Sequence, residues 1–195
     1  MAPSPDWRLL PVVPAADTVI AGHALDPSDV VCTRAGPSAG FAATDAEGRL
    51  MLADALARAG GAWPVLILVV ASLTGVARIA PGAVLPALAG RHEALAAGRS
   101  AAAHRGGDPT ARRPQRAPRR RLLRASLANS AEVGKGPVAG AILGARPLKR
   151  FVPACTASPH LDLSTPPVEM RPGRPHRGLA PGLFAALGLP EARVG

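Results

Sequence analysis

The run VLILVVASL at residues 65–73, with Pro64 before it and Gly75 beyond it, limits most strongly how this chain folds. A stretch so continuously apolar reads as a strand buried on both faces of an α/β sheet. Directly before it, residues 49–59 (RLMLADALARA) are rich in helix formers, with Leu50, Leu52 and Leu56 on helical spacing. Gly60 and Gly61 are placed to end that helix. A helix that feeds straight into a buried strand predicts a layered α/β fold.

Composition limits how firmly such layers can pack. The 195 residues suffice for a single domain. Aromatic residues make up only 3% and tyrosine is absent, so Leu, Val and Ala must fill the interior. Gly 21 and Pro 22 bring the chain close to low-complexity composition. The net charge of +10 points formally to nucleic acid or an anionic surface. Most of that excess, however, sits in a proline-broken basic segment at 105–121 that contains RRPQRAPRRR, which reads as an irregular, solvated stretch. Nucleic acid is therefore a disfavoured partner. Cys32 and Cys155 show no ligand spacing, and the run at 65–73 is too short to cross a bilayer. No export signal is visible at the N-terminus, so a cytoplasmic location without membrane contact is expected.

Elsewhere the pattern predicts an extended segment and polar loop over 9–31 and a helix over 85–103. A helix over 136–151 is expected to be kinked at Pro147, followed by a strand at 160–163 and a last helix at 183–189. GKG at 134–136 lacks the features of a phosphate loop, and His92-Glu93 lacks the second histidine of a zinc-binding helix.

The chemistry concentrates in Asp45-Ala46-Glu47-Gly48-Arg49, expected as a loop ahead of the first helix. Two readings fit these residues. In an extended loop, side chains two apart project to one side, so Asp45 and Glu47 can converge on a hard cation or a metal pair, with Arg49 as an anion clamp. The same residues also suit a helix N-terminus, where acids cap exposed N–H groups and favour the helix dipole.

TDAEGRLMLADALARA resembles the signature segment of the leucyl aminopeptidase (cytosol aminopeptidase) family, usually NTDAEGR followed by a helix rich in Leu, Ala and Asp. The likeness continues in order on both sides. The upstream segment ending IAGHALDPSDVV is similar to the family's lead-in, and VLILVVASLTG looks like its strand ending in ATLTGA. Further landmarks are GDP at 107–109, LLRASLAN, VAGAI, LKRFVP, HLDL and RPGRPHRG. Departures include Ala43 in place of the signature asparagine, GPSAGF in place of a valine-rich strand, and Arg146 with Pro147 inside an expected helix.

The resemblance implies part of a layered helix/sheet/helix aminopeptidase catalytic domain spanning 1–195, incomplete at its N-terminal side. It also implies a metallopeptidase that releases N-terminal residues from peptides through a water activated by two metals. Asp45 and Glu47 would be ligands of two divalent ions, manganese or zinc, with Glu47 bridging. Arg49 would be catalytic and hold a bicarbonate, while Ser72, Leu73 and Gly75 would line the substrate and anion site. Family members act as homohexamers. Their further metal ligands and catalytic lysine belong to a region with FDSGG and ADMGG motifs, which this sequence does not contain. A catalytically inactive fragment of the family is accordingly a second expectation, and a basic nucleic-acid binder a third.

Overall fold

A computed structural model describes residues 8–17, 21–22, 24–41, 47–73, 85–89, 104, 108–113, 130–131, 145, 147–163 and 182. The described elements are β1 (Val30–Cys32), β2 (Ser38–Gly40), α1 (Glu47–Gly60), β3 (Val69–Ala71), β4 (Ala87–Ala89), β5 (Ala111–Arg113), β6 (Ser130–Ala131), a 3-10 helix (Pro147–Phe151) and β7 (His160–Asp162). They form two small sheets in the orders β1-β2-β6 and β3-β7-β4-β5. The second sheet is mixed, with β7 parallel to β3 and antiparallel to β4, and β5 parallel to β4. Helix and sheet together make this an α/β fold.

Helix α1 forms for the reasons its sequence suggests. Leu52, Ala53, Leu56, Ala59 and Gly60 recur at three- and four-residue spacing and fall on its inner side, where Ala53 and Leu56 are buried. Glu47 in the first turn and Arg58 in the last both complement the helix dipole. This apolar stripe packs against Ile67 and Val69 of the strand segment and against Leu148 and Phe151 of the 3-10 helix. At its outer side Asp54 accepts the N–H of Arg34 at 2.8 Å, which ties α1 to the β1–β2 turn. Gly36 turns that hairpin at a φ of 97°, a conformation that a side chain would strain.

The glycine pair does end α1, though not through a left-handed glycine. In the turn directly after the helix, the positive φ belongs to Trp63 rather than to either glycine. Gly60 is needed instead for space, because a Cβ there would lie 2.9 Å from Cδ of Pro153.

Several expectations change in the fold. The run at 65–73 yields a strand only at Val69–Ala71, together with a parallel bridge between Leu66 and Ala157. Its burial alternates rather than being two-sided: Ile67 and Val69 are buried, whereas Val65 and Val70 are 73% and 49% exposed. The two buried side chains are the ones that pack against α1. The helix expected over 85–103 is overturned at its start, where Ala87-Leu88-Ala89 are all buried as β4. Small side chains fit between β7 and β5, and that pairing outweighs the helix propensity of Ala and Leu. Within the basic segment at 105–121, Ala111–Arg113 is a regular strand beside β4. Pro147 does not kink a longer helix but stands first in the 3-10 helix, where its missing N–H needs no partner. The strand expected at 160–163 forms as β7, while the helix at 183–189, most of 90–103 and most of 136–146 lie outside the described residues.

The contact between Gly60 and Pro153 gives a direct test. Gly60→Ala gains helix propensity but drives a methyl into a rigid ring, so net destabilisation of roughly 1–3 kcal/mol is expected in urea denaturation. Gly61→Ala, whose Cβ would sit 3.4 Å from the nearest heavy atom, is expected to shift stability by roughly 1 kcal/mol or less.

Candidate functional site

Because α1 starts at Glu47, the residues Glu47, Gly48 and Arg49 belong to its first turn rather than to a loop. The alternation expected of an extended chain therefore does not apply from Glu47 onward, since residues two apart on a helix diverge by roughly 200°. Glu47 is exposed at the helix N-terminus, where the dipole favours its charge. Asp45 lies outside the described residues.

Arg49 reaches away from this turn to the end of β3. Its Nη2 donates to the carbonyl oxygen of Leu73 at 3.0 Å, across 24 residues of sequence. The N–H of the same Leu73 donates to Oδ1 of Asp162 at 2.8 Å. One residue thus has its donor held by β7 and its acceptor held by α1. Leu73 is half-buried and packs against the main core, whereas Ser72 beside it is exposed. Of the residues expected to share a site, the structure brings Arg49 and Leu73 into direct contact and sets Ser72 next to them. Gly75 lies outside the described residues.

Asp162 is not among the site residues expected from the sequence. An acid between Leu161 and Leu163, in a strand whose three residues are all buried, was the available signal. Burial of a carboxylate is costly unless it is bonded, so its position marks a fixed polar contact. His160 lies on the same strand, yet both of its ring nitrogens are buried without a hydrogen-bond partner. Neither nitrogen therefore bonds the Asp162 carboxyl. Burial pushes the His160 imidazole down to about 4, so it is neutral near neutral pH. It lines a small cavity with Leu56, Val69, Leu148, Lys149 and Ser158.

The described side chains do not by themselves fit a metal pair. Among the described residues no three His, Cys, Asp or Glu side chains converge, and Glu47 is the single described member of the acidic pair. A dinuclear centre needs several deprotonated ligands arranged around each ion.

Comparison with known proteins supplies context for this arrangement. The model of the cytosol aminopeptidase family, catalytic domain, matches residues 2–183. The probable cytosol aminopeptidase of Desulfotalea psychrophila is 38% identical over 149 residues, covering 76% of this chain and 30% of its own length. That of Prochlorococcus marinus is 37% identical over 153 residues, covering 78% of this chain and 31% of its own. Among solved structures, the cytosol aminopeptidase from Coxiella burnetii superposes with a TM-score of 0.82 at 38% identity, covering 89% of this chain and 38% of that one. A tomato leucine aminopeptidase mutant gives 0.71 at 32% identity, covering 74% of this chain and 28% of its own. The chain thus spans about a third of the length of these relatives.

The buried imidazole predicts a pH dependence whose sign is fixed. His160 takes up a proton near 6.5 when unfolded but only near 4 when folded, so acid favours the unfolded chain. Its contribution is fully present above about pH 6.5 and is lost as pH falls toward 4, a decline on the order of 3 kcal/mol. Chemical denaturation at about pH 7 and about pH 4.5 should show a smaller acid loss in His160→Leu than in the parent chain.

Proposed function

The chain belongs to the cytosol aminopeptidase family, and from that membership we propose that it carries part of a centre that releases N-terminal residues from peptides. The bond from Arg49 to the Leu73 carbonyl carries this reading, because it joins the helix start and the strand end that the family motifs occupy. A guanidinium stays charged at any working pH. Partly buried against a fixed carbonyl, it can hold negative charge at the end of β3 with little reorganisation, whether on a bound anion or on the oxygen of a substrate carbonyl under attack. Glu47, exposed in the first turn of α1, is the carboxylate that the family motif sets two residues before Arg49.

Two divalent ions, manganese or zinc, and a bicarbonate would supply activation of water and relay of its proton in such a reaction. The described donors do not complete a set for them, so the part assigned to this chain is charge stabilisation by Arg49 and placement of substrate along Ser72 and Leu73. Asp45 and Gly75 belong to the same proposal through the family motif. Peptides with a free N-terminus, a homohexameric assembly and a cytoplasmic location complete it. No described helix is long and apolar enough to cross a membrane.

A second reading follows from the described residues, among which no three His, Cys, Asp or Glu side chains come together. In that reading the chain contributes packing or subunit contacts without hydrolysis of its own.

Isothermal titration with Mn²⁺ or Zn²⁺, paired with hydrolysis of leucine amide by the 195-residue chain, separates the two. The peptidase reading expects saturable metal binding that Glu47→Gln weakens. It also expects turnover that falls roughly 10²-fold in Arg49→Met with little change in KM. Absence of both binding and turnover would leave the non-catalytic reading.

A further inference from the structure

Asp162 is 1% exposed and sits on β7, an inner strand of the four-stranded sheet. Along the β3–β7 seam the parallel ladder runs in a fixed register. The N–H of Ile67 goes to the carbonyl of Ala157 at 2.9 Å, and that of Val69 to the carbonyl of Pro159 at 3.0 Å. From the other side, the N–H of Leu163 goes to the carbonyl of Ala71 at 2.8 Å. Continued by two more steps, the same register would send the N–H of Leu73 to the carbonyl of Leu163. The Asp162 carboxylate receives it instead.

That substitution of a side chain for a backbone acceptor has a geometric result. The chain is released from the pleat after Ala71, and the Leu73 carbonyl faces α1, where Arg49 Nη2 donates to it. A carboxylate accepts more strongly than a neutral carbonyl, and this one is shielded from water. The polar groups of Leu73 are thus pinned from opposite sides, by the buried Asp162 carboxyl on β7 and the Arg49 guanidinium on α1.

We propose that Asp162 is a positioning residue: by holding the Leu73 amide it sets the Leu73 carbonyl, and through that carbonyl the orientation of the Arg49 guanidinium. The catalytic consequence rests on the peptidase reading above, whereas the positional claim does not. Asp162→Asn keeps an oxygen acceptor of the same reach, and Asp162→Val removes it while keeping a strand-forming side chain.

Two measurements on the full chain test this, amide hydrogen exchange at Leu73 and steady-state hydrolysis of leucine amide with Mn²⁺. In Asp162→Val, Leu73 exchange is expected to rise at least roughly tenfold while the amides of Val69 and Leu161 stay protected. Turnover is expected to fall roughly tenfold to a hundredfold through kcat rather than KM. Asp162→Asn should restore most of both, a rescue that a purely structural role would not predict. Equal protection of Leu73 in all three proteins overturns the proposal, as does a loss in both variants that tracks their melting temperatures alone. If the parent chain does not hydrolyse the amide, the peptidase reading fails and Leu73 exchange alone decides the positional claim. Should Asp162→Val not fold, Asp162→Ala, which removes the acceptor with no added bulk, takes its place: selective loss of Leu73 protection supports the proposal, and protection equal to the parent's overturns it.

Discussion

Strand β7 is the constraint on which the rest of the described structure depends. Its three residues are fully enclosed, and they pair on one side with β3 and on the other with β4. Closing the β3–β7 seam joins segments separated by about 90 residues, an entropic cost that must be met by burial and by ladder bonds. Leu161 supplies the apolar part and Asp162 the polar part, while His160 is buried with its nitrogens unmet, at a cost of about 1–3 kcal/mol for each such group. The sheet tolerates that cost because the strand is an inner one and its neighbours carry only small or branched residues, Ala87 and Ala89 on one side and Val69 and Ala71 on the other.

From this seam the placement of the site residues follows. With β3 fixed against β7, Ile67 and Val69 present one face to α1, and the helix docks through Ala53 and Leu56. Docking at that depth brings the first turn of α1 level with the end of β3, within reach of an arginine side chain. Arg49 therefore bonds Leu73 as a consequence of how the helix packs, not of any local preference of the signature segment. The 3-10 helix closes the same core from below with Leu148 and Phe151, and Pro153 beyond it lies against Gly60.

Local patterns reported the elements whose own residues decide them. The helix from the Leu and Ala spacing, its end at the glycine pair and the strand at HLD all emerge from short-range signals. Where neighbours decide, local patterns misled. Ala-Leu-Ala at 87–89 prefers a helix in isolation and becomes a strand because two strands flank it. The apolar run at 65–73 is hydrophobic throughout, yet Val65 and Val70 remain exposed. The acidic pair read as a loop from its composition, while the helix extends back to include Glu47 because an acid in the first turn favours helical residues there.

The order of motifs, from TDAEGR through the LTG strand end to HLD, is written in the amino-acid sequence and by itself determined the family and marked Arg49, Glu47 and Leu73 as the residues proposed for the site. Such signals survive because they depend on residue type at short spacing. Only the tertiary structure decided that Asp162 accepts the N–H of Leu73, since that bond spans 89 residues and exists only once β3 and β7 are paired. Short-range patterns carry no information about which distant amide a buried acid will accept; that is set by strand register and by the need to satisfy a charge removed from water.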